Sequence, residues 1–303
     1  MANVFDGKLF AERYYLLLKK FLAEYDLVNK IGLKVILAND NPASGLYVSI
    51  KERVSKEIGI NFCVIKLNSN TKQEDILQLI EAENLNEDTD GIIVQLPLSS
   101  GIDVNMVLNK IMHTKDVDGL SAINLGKLVL GDKMGFVPCT ALAVLKVLLD
   151  QRVETSGRTV VVIGRSALVG RPVSILLSCK PYDATVITCH SKSTYLDVYV
   201  RQADIIITAV GKPRLIGLNM ISGSPYVVDI GISEVEIGGN NVLVGDVDFE
   251  EIKEHVKFIT PVRGGIGPVT VLMLMFNTIK AHLIRHNNFD VLEKLEKLVL
   301  VEV

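Results

Sequence analysis

The sequence lacks a charge excess of either sign. Its 303 residues include 32 lysines and arginines against 35 aspartates and glutamates, which gives a net charge of −3 at pH 7. A charge so near balance provides no basic field to attract nucleic acid or an anionic membrane surface. We therefore expect a small molecule as the main ligand, with no nucleic acid and no membrane.

Long apolar runs, a secretory leader and paired cysteines are also missing. No apolar run nears membrane-spanning length, and residues 1–7 have neither the basic flank nor the apolar core of a signal peptide. The cysteines, none of them in a C-x-x-C pair, are Cys63, Cys139, Cys179 and Cys189. Unpaired thiols are typical of reduced proteins, so we expect a cytoplasmic location.

A complete metal-binding pattern is missing as well. His282 and His286 lie four residues apart on a predicted helix and could share a metal ion. The sequence indicates no third ligand nearby. A packed or exposed histidine pair is therefore the favoured interpretation, and we expect no metal.

The chain is rich in residues that form buried parallel strands. Hydrophobic residues make up 49% of it, and its length is enough for two domains. Strand-like and helical segments alternate, which is typical of an α/β fold. The predicted strands are 33–38, 62–67, 91–95, 159–163, 184–188, 204–209 and 226–230. The predicted helices are 9–25, 44–58 with Ser44 as its cap, 72–83, 138–149, 271–284 and one from Asp290.

The segment 159–172 carries the clearest ligand signal. An apolar run ends at Gly164, and a loop with Arg165 and Ser166 leads through Gly170 into an apolar helix. Such a unit holds nucleotide phosphates, because the amides at the helix N-terminus face the anion. Serine replaces the usual second glycine and one extra residue precedes the last, so a plain strand-to-helix turn is the alternative.

The next strand indicates which nucleotide is bound. It ends in Cys189-His190-Ser191, at the position where NAD-type sites carry an acid for the ribose hydroxyls. No acid is present there, and Arg165 lies in the phosphate loop. This combination favours a 2′-phosphate, and therefore NADP.

Candidate chemical groups lie in the first half of the chain. Tyr47 and Lys51 are four residues apart on a predicted helix and share one face. Gln95 closes an apolar strand, and Asp118 lies in the turn Lys115-Asp-Val-Asp118-Gly119. The alternatives are a solvated lysine, a turn-capping glutamine and an Asx turn.

Eight motifs follow one another in a characteristic order. They are Tyr47-Val-x-x-Lys51, Gly91-Ile-Ile-Val-Gln95-Leu-Pro97-Leu, Lys115-Asp-Val-Asp118-Gly119, Pro138-Cys-Thr140, Gly164-Arg-Ser166-x-x-Val169-Gly170-x-Pro172, Cys189-His-Ser191, Gly245-Asp-Val-Asp248 and Thr260-Pro-Val-x-Gly264-Gly-x-Gly267-Pro268. In this order they resemble the bifunctional methylenetetrahydrofolate dehydrogenase/cyclohydrolase family. The resemblance extends from about Phe5 to the helix after Thr270.

The resemblance implies a fold and a function. It implies a two-domain α/β protein, with a folate-binding catalytic domain at 1–139 completed by helices in 271–303, and a Rossmann-like NADP-binding domain at 140–270. It implies NADP-dependent oxidation of 5,10-methylenetetrahydrofolate and hydrolysis of the methenyl product to 10-formyltetrahydrofolate, in the one-carbon metabolism that supplies purine biosynthesis. It also implies a homodimer joined through the nucleotide-binding domain.

The resemblance further implies roles for individual residues. Lys51 would be the catalytic lysine, Gln95 would position it, Tyr47 would stack on the folate and Asp118 would bind the pteridine edge. Other substrate-binding candidates are Ser44, Leu96, Pro97, Gly265 and Pro268. The cofactor-binding candidates are Thr140, Gly164, Arg165, Ser166, Gly170, Ser191 and Ile232.

The chain departs from the family pattern in a few places. The departures are Ala141, Ala143, Ser233, Arg263 and Val269, and Arg263 adds a charge beside the glycine pair. Three alternatives remain. They are a family member with only the dehydrogenase activity, an oxidoreductase like shikimate dehydrogenase, and a non-enzymatic NADP-sensing module.

Overall fold

The computed structural model describes residues 3–68 and 70–300. These residues form two compact units, which we name after one residue of each. The Lys51 unit contains Glu12–Cys139 and 271–300, and the Gly164 unit contains 3–11 and Thr140–Thr270.

Strands and helices alternate along most of the described chain. The strands are β1 (Asn3–Val4), β2 (Gly32–Leu37), β3 (Asn61–Lys66), β4 (Gly91–Val94), β5 (Thr159–Ile163), β6 (Thr185–Cys189), β7 (Ile205–Thr208), β8 (Tyr226–Asp229), β9 (Ser233–Ile237), β10 (Asn240–Val244) and β11 (Phe258–Ile259). The helices are α1 (Gly7–Glu24), α2 (Pro42–Ile58), α3 (Gln73–Leu85), α4 (Val104–Lys110), α5 (Ala122–Leu130), α6 (Cys139–Asp150), α7 (Gly170–Ser178), α8 (Leu196–Arg201), α9 (Phe249–Ile252), α10 (Ile266–Arg285) and α11 (Phe289–Leu300).

The Lys51 unit contains a parallel sheet in the order β3-β2-β4. Its central strand, β2, is buried along nearly its whole length, as expected for a strand with neighbours on both sides. Ile36, Ile80 and Ile92 are fully buried in the core beside this sheet. The carboxyl ends of β2 and β4 therefore lie side by side, where α/β sheets carry their sites.

Helix α2 begins two residues before Ser44, so the prediction that Ser44 caps this helix is wrong. Asn41 is the cap, because its side-chain oxygen accepts a hydrogen bond from the Ala43 amide at 2.9 Å. Pro42 takes the first helical position, where no amide donor is needed. Gly59 ends the helix in the left-handed conformation, with a φ of 96°.

The Gly164 unit contains a larger sheet in the order β1-β11-β8-β7-β5-β6. Every adjacent pair of strands in it is parallel. β7 is buried at every residue, and β5 and β8 at all but the first. The predicted parallel-sheet nucleotide-binding fold is thereby confirmed.

The short strand β1 lies at one edge of this larger sheet. Asn3 pairs with Phe258 and Val4 with Ile259. The Phe5 ring lies 5.7 Å from the Phe258 ring. Residues 3–11 therefore lie in the Gly164 unit, whereas the sequence analysis placed all of 1–139 in the other domain. Two strand residues are too few to form a periodic pattern that a sequence could reveal.

Two further elements differ from the sequence analysis. Helix α10 begins at Ile266, five residues before the predicted start at Val271, so Pro268 lies in its first turn and not in a loop. The antiparallel pair β9 and β10 was not predicted. Its turn is made by Gly238 and Gly239, with φ angles of 59° and 78°, which is the conformation that two-residue hairpin turns require.

Helix α10 is long and apolar enough to cross a membrane by length and composition, contrary to the sequence analysis. Its most apolar stretch is 83% buried inside the protein. Burial of this extent is typical of a helix in a folded core.

Candidate active site

The Lys51 and Gln95 side chains meet at the carboxyl ends of β2 and β4. Lys51 lies on α2, which follows β2, and Gln95 is the first residue after β4. The Lys51 Nζ donates a hydrogen bond to Gln95 Oε1 at 2.9 Å, and Gln95 Nε2 donates to the Leu96 carbonyl at 2.9 Å. Because the Leu96 carbonyl only accepts, it orients the amide so that its oxygen faces the lysine.

The loop after Gln95 is held by a residue that the sequence analysis missed. Asn39 Nδ2 donates to the Pro97 carbonyl at 2.8 Å and lies 3.5 Å from the Gln95 carbonyl. The backbone N–H of Gln95 in turn donates to the Ile36 carbonyl near the end of β2. Its position could have indicated the role of Asn39, because Asn39 is the first polar residue after the central strand β2.

Tyr47 and Ser44 occupy different environments on α2. Tyr47, one turn before Lys51, is 43% exposed and offers an aromatic surface to a ligand. Ser44 is buried, with 3% of its surface exposed. Ser44 lies on the same side of the helix as Lys51, seven residues before it, and its role in substrate binding stays a prediction.

The two acids of the turn at 115–119 have separate tasks. Asp116 Oδ1 accepts from the Gly119 amide at 3.0 Å, and its Oδ2 accepts from the Ser121 amide and Asn124 Nδ2, each at 2.8 Å. Asp116 is therefore the Asx residue that shapes the turn. Asp118 does not take part in this network, and its carboxyl is left for other partners.

Asp118 lies among a thiol, a cation and a second acid. Burial raises the pKa of the Asp118 carboxyl, the Lys51 ammonium lowers it, and Asp116 raises it. Cys139 Sγ donates to the Val117 carbonyl at 3.3 Å, and burial raises the pKa of the Cys139 thiol well above its usual value. Cys139 therefore stays a protonated thiol beside Asp118. The sequence analysis quoted Cys139 in a motif but gave it no role.

The phosphate-loop candidates in the Gly164 unit form a close backbone approach. A Cβ on Gly170 would lie 2.2 Å from the Gly164 carbonyl oxygen, and Gly164 has a φ of 130°. Ser166 Oγ accepts from the Val169 amide at 3.1 Å and the Gly170 amide at 3.4 Å. Ser166 thus caps the start of α7, and the close approach of the two glycines lets a phosphate come near the loop backbone.

Arg165 and Ser191 follow the carboxyl ends of two neighbouring strands, β5 and β6. Ile163 and Cys189 are paired in the parallel ladder, and the Gly164 amide donates to the Cys189 carbonyl at 2.9 Å. Arg165 and Ser191 follow these residues, and both are exposed. A guanidinium and a hydroxyl at neighbouring strand ends are suitable donors for a phosphate group.

The remaining candidates of the Gly164 unit are more dispersed. Thr140 is half-buried in the first turn of α6, and Ile232 is 48% exposed just after β8. A Cβ on Gly265 would lie 2.5 Å from the Pro261 carbonyl oxygen, so the packing at this position requires glycine. Pro268 lies on α10, as described above.

A buried pair of acids behind this site was missed in the sequence analysis. Asp229 accepts hydrogen bonds from the Thr208 hydroxyl at 2.9 Å and the Val247 amide at 2.9 Å. Asp246 accepts from the Val210 and Lys212 amides, each at 2.7 Å. The two acids therefore fix the loop after β7 and the segment after β10. Burial raises the pKa of Asp229 to about 6.

The histidine pair of α10 has a third neighbour that the sequence did not reveal. The ligand atoms of Asp90, His282 and His286 all lie within 4.8 Å of one another. Asp90 Oδ2 already lies 3.1 Å from His282 Nδ1 and accepts from the Gly32 amide, and Oδ1 accepts from Arg285 Nη1 at 2.5 Å. An ion-pair network thus satisfies both oxygens of the carboxylate.

Comparison with known proteins places the whole chain in one family. Residues 5–118 match the family described as "Tetrahydrofolate dehydrogenase/cyclohydrolase, catalytic domain". Residues 138–286 match the family described as "Tetrahydrofolate dehydrogenase/cyclohydrolase, NAD(P)-binding domain". The chain is 69% identical over 301 residues to "Bifunctional protein FolD" of Borreliella afzelii (strain PKo), covering 99% of this chain and 100% of that protein.

Solved structures agree with this assignment. The bifunctional methylenetetrahydrofolate dehydrogenase/cyclohydrolase FolD of Campylobacter jejuni is 41% identical, with a TM-score of 0.89 that covers 94% of this chain and 100% of that one. The Trypanosoma brucei dehydrogenase-cyclohydrolase, solved with NADP and an inhibitor, is 34% identical, with a TM-score of 0.87 over 94% and 98% of the two chains. Site geometry, sequence and fold therefore agree that the chain belongs to the tetrahydrofolate dehydrogenase/cyclohydrolase family.

Proposed function

We propose that Lys51, Gln95 and Asp118 form the site at which this chain performs both reactions of its family. The chain is a bifunctional dehydrogenase and cyclohydrolase of folate one-carbon metabolism, and its cofactor is NADP. The observation that carries the proposal is the Lys51–Gln95 hydrogen bond of 2.9 Å at the carboxyl end of the smaller sheet.

The oxidation requires the folate to be held in one orientation. Asp118 would bind the pteridine, because a carboxylate accepts two parallel hydrogen bonds from an amino-pyrimidinone edge. The neighbouring Lys51 charge favours the ionised carboxylate that this contact needs. Tyr47 would stack on the ring system with its exposed face. NADP, when bound, accepts the hydride that leaves the methylene carbon.

The hydrolysis requires a proton carrier. Water adds to the methenyl carbon, the bond from this carbon to N5 breaks, N5 gains a proton, and one further proton is released. The Lys51 ammonium would give N5 its proton, and the resulting amine would take one proton back from the added water, so that the second water proton is the one released. Gln95 would position this amine, since its own orientation is fixed by the Leu96 carbonyl.

The Gly164 unit would hold the cofactor through its backbone and two exposed side chains. The glycine loop before α7 would bind the pyrophosphate, because its small residues allow a close backbone approach. Arg165 and Ser191 would contact the 2′-phosphate, because both are exposed just after the carboxyl ends of neighbouring strands. Thr140 and Ile232 would contribute further cofactor contacts, and Gly265 and Pro268 would contact the substrate.

Substitution of Lys51 tests this assignment. Lys51→Met keeps the length and apolar stem of the side chain but removes the amine. Since a positioned acid–base group contributes about 10²–10⁴-fold, cyclohydrolase activity should fall by about that factor and dehydrogenase activity by less. Both rates are measured from the absorbance of the methenyl product, formed with NADP and then hydrolysed.

Lys56→Met is the matched control, because Lys56 lies on the same helix and pairs with Glu52 on the surface at 2.7 Å. It should change neither rate, and NADP affinity should be unchanged in both variants. Hydrolysis near the wild-type rate in Lys51→Met would rule Lys51 out as the proton carrier. A wild-type chain that oxidises its substrate but does not hydrolyse the product would favour the dehydrogenase-only alternative.

We also propose a homodimer joined through the Gly164 unit and a cytoplasmic location. β6 is an edge strand of the larger sheet within the described residues, and edge strands offer unpaired backbone groups. Tyr195 and Tyr199, which follow β6, are 75% and 36% exposed. The four free thiols support a reducing compartment.

A further inference from the structure

We infer that Asn277, on α10, is a positioning residue for Asp118, and this inference rests on the pteridine-binding role proposed above for Asp118. Asn277 is 1% exposed, and nothing in the sequence analysis drew attention to it. It lies far from Asp118 in the sequence but within the same unit.

The Asn277 amide joins the two segments that surround Asp118. Its Nδ2 donates to the Val117 carbonyl at 2.9 Å and to the Val137 carbonyl at 3.1 Å, and lies 3.6 Å from Cys139 Sγ. Carbonyl oxygens only accept, so the orientation of the amide is determined by these partners. The Val117 carbonyl belongs to the peptide group that leads directly into Asp118.

Cys139 contacts the same peptide group from the second segment. Its Sγ donates to the Val117 carbonyl at 3.3 Å, so the one thiol hydrogen is used on the peptide group that precedes Asp118. Asn277 and Cys139 therefore bind the same peptide group before Asp118, and Asn277 also joins it to the segment at Val137.

The opposite side of the turn is already fixed. Gly119 has a φ of 72°, and a Cβ there would lie 2.7 Å from the Phe136 carbonyl oxygen. Asp116 holds the amides that follow Asp118, as described above. Asn277 binds the peptide group that precedes Asp118, so the backbone is fixed on both sides of this residue. A carboxylate that must meet two donors at once depends on such anchoring.

A double-mutant cycle tests the inference. Asn277→Leu keeps the volume and removes both donors, and Asp118→Ala removes the carboxyl. We measure the Kd for tetrahydrofolate by anaerobic calorimetry in the wild type, both single variants and the double variant. Asn277→Leu should raise this Kd about three- to tenfold. The double variant should match Asp118→Ala within about twofold, because Asn277 acts through Asp118.

Thr278→Val is the matched control. Thr278 is equally buried on the same helix, but its hydroxyl donates only to the Leu274 carbonyl within that helix at 2.8 Å. It should lower the melting temperature without changing the tetrahydrofolate Kd, so a merely structural effect is separated from a positioning effect. If Asn277→Leu does not fold, Asn277→Ser, which keeps a donor and admits water, replaces it in the cycle.

The outcomes distinguish two failures. An unchanged Kd in Asp118→Ala would refute the proposed role of Asp118 in pteridine binding. A raised Kd in Asp118→Ala, with either an unchanged Kd in Asn277→Leu or effects that multiply in the double variant, would overturn the positioning role of Asn277 alone.

Discussion

Residues of one type perform different tasks in this molecule according to their partners. Asp116 saturates its oxygens with the amides of its own turn, whereas Asp118 two residues later faces Lys51 and Cys139. The sequence reveals both acids but not this division, because it depends on which carboxyl points into the turn. Only the family resemblance selected Asp118 before the fold was known.

Arg165 should determine the preference for NADP over NAD. A charge-assisted contact with the 2′-phosphate is worth about 1.5–3 kcal/mol, so the wild type should prefer NADP by about tenfold or more in kcat/KM. Arg165→Ala should lose most of this preference while its kcat/KM with NAD stays unchanged. Arg158→Ala, at the opposite end of β5, is the control. Equal kcat/KM values for both cofactors in the wild type would contradict the assignment.

Asp229 should make the stability of the protein depend on pH. Its folded-state pKa of about 6 lies above the ordinary value of 3.8, so the folded state binds the proton more tightly. The free energy of unfolding should therefore fall as pH rises from about 4 to 6, by at most about 3 kcal/mol. Asp246, which faces Asp229, also has a raised pKa through burial and adds to the effect.

The ¹³C chemical shift of the Asp229 carboxyl, followed by NMR against pH, measures this pKa directly. A titration midpoint near 6 is expected, and urea unfolding at pH 4.5 and 6.5 reports the stability change. A midpoint at or below 4 would show that the amide and hydroxyl donors to this carboxyl outweigh burial.

At the scale of elements, strong periodicity could be read from the sequence and short elements could not. The predicted strands of both sheets lie within a residue or two of β2 to β8, because buried apolar runs end at glycine or polar residues. α4 and α5 were missed although Asp103 and Ser121 cap them, since each is shorter than three turns. The Gly238-Gly239 turn of the β9–β10 hairpin was a visible signal that was not used.

The phosphate loop should tolerate no side chain at Gly170. A Cβ there would contact the Gly164 carbonyl oxygen at 2.2 Å and the Arg165 amide at 2.9 Å, and both are backbone atoms. Gly170→Ala should lower the free energy of unfolding by about 1–3 kcal/mol and weaken NADP binding. Calorimetric melting and NADP titration measure the two effects.

Gly126→Ala provides the comparison within a helix. A Cβ at Gly126 in α5 has no atom within 4 Å, so this variant should be unchanged or more stable by up to about 1 kcal/mol. If Gly170→Ala binds NADP as tightly as the wild type, the close approach of Gly170 to Gly164 is not needed for NADP binding.

At the scale of the whole molecule, the sequence correctly indicated the fold class and the family, and it left the details of assembly open. Residues 3–11 belong to the Gly164 unit because β1 pairs with β11, a contact between distant parts of the sequence that no local pattern predicts. Asp90 and Asn277 were missed for the same reason, since their partners are distant in sequence. Lys51 and Gln95 are also distant in the sequence, and only the resemblance to the family linked them before the fold was known.

The proposed homodimer can be measured directly. Sedimentation at micromolar concentration should give a mass of twice 33.2 kDa, because the exposed edge at β6 would be covered by a second copy. Hydrogen exchange should then be slower in β6 and α8 at high than at low protein concentration. A single species of 33.2 kDa at all concentrations would refute the dimer.

The return of α10 to the Lys51 unit has a consequence for protein synthesis. The ribosome completes residues 12–139 first, but the buried partners of Asp90 and Val117 on α10 emerge only near the end of translation. A nascent chain therefore carries an unfinished Lys51 unit while the whole of 140–270 is being made. Until His282 and Arg285 emerge, Asp90 lacks both side-chain partners, and the unfinished unit exposes surface that chaperones bind.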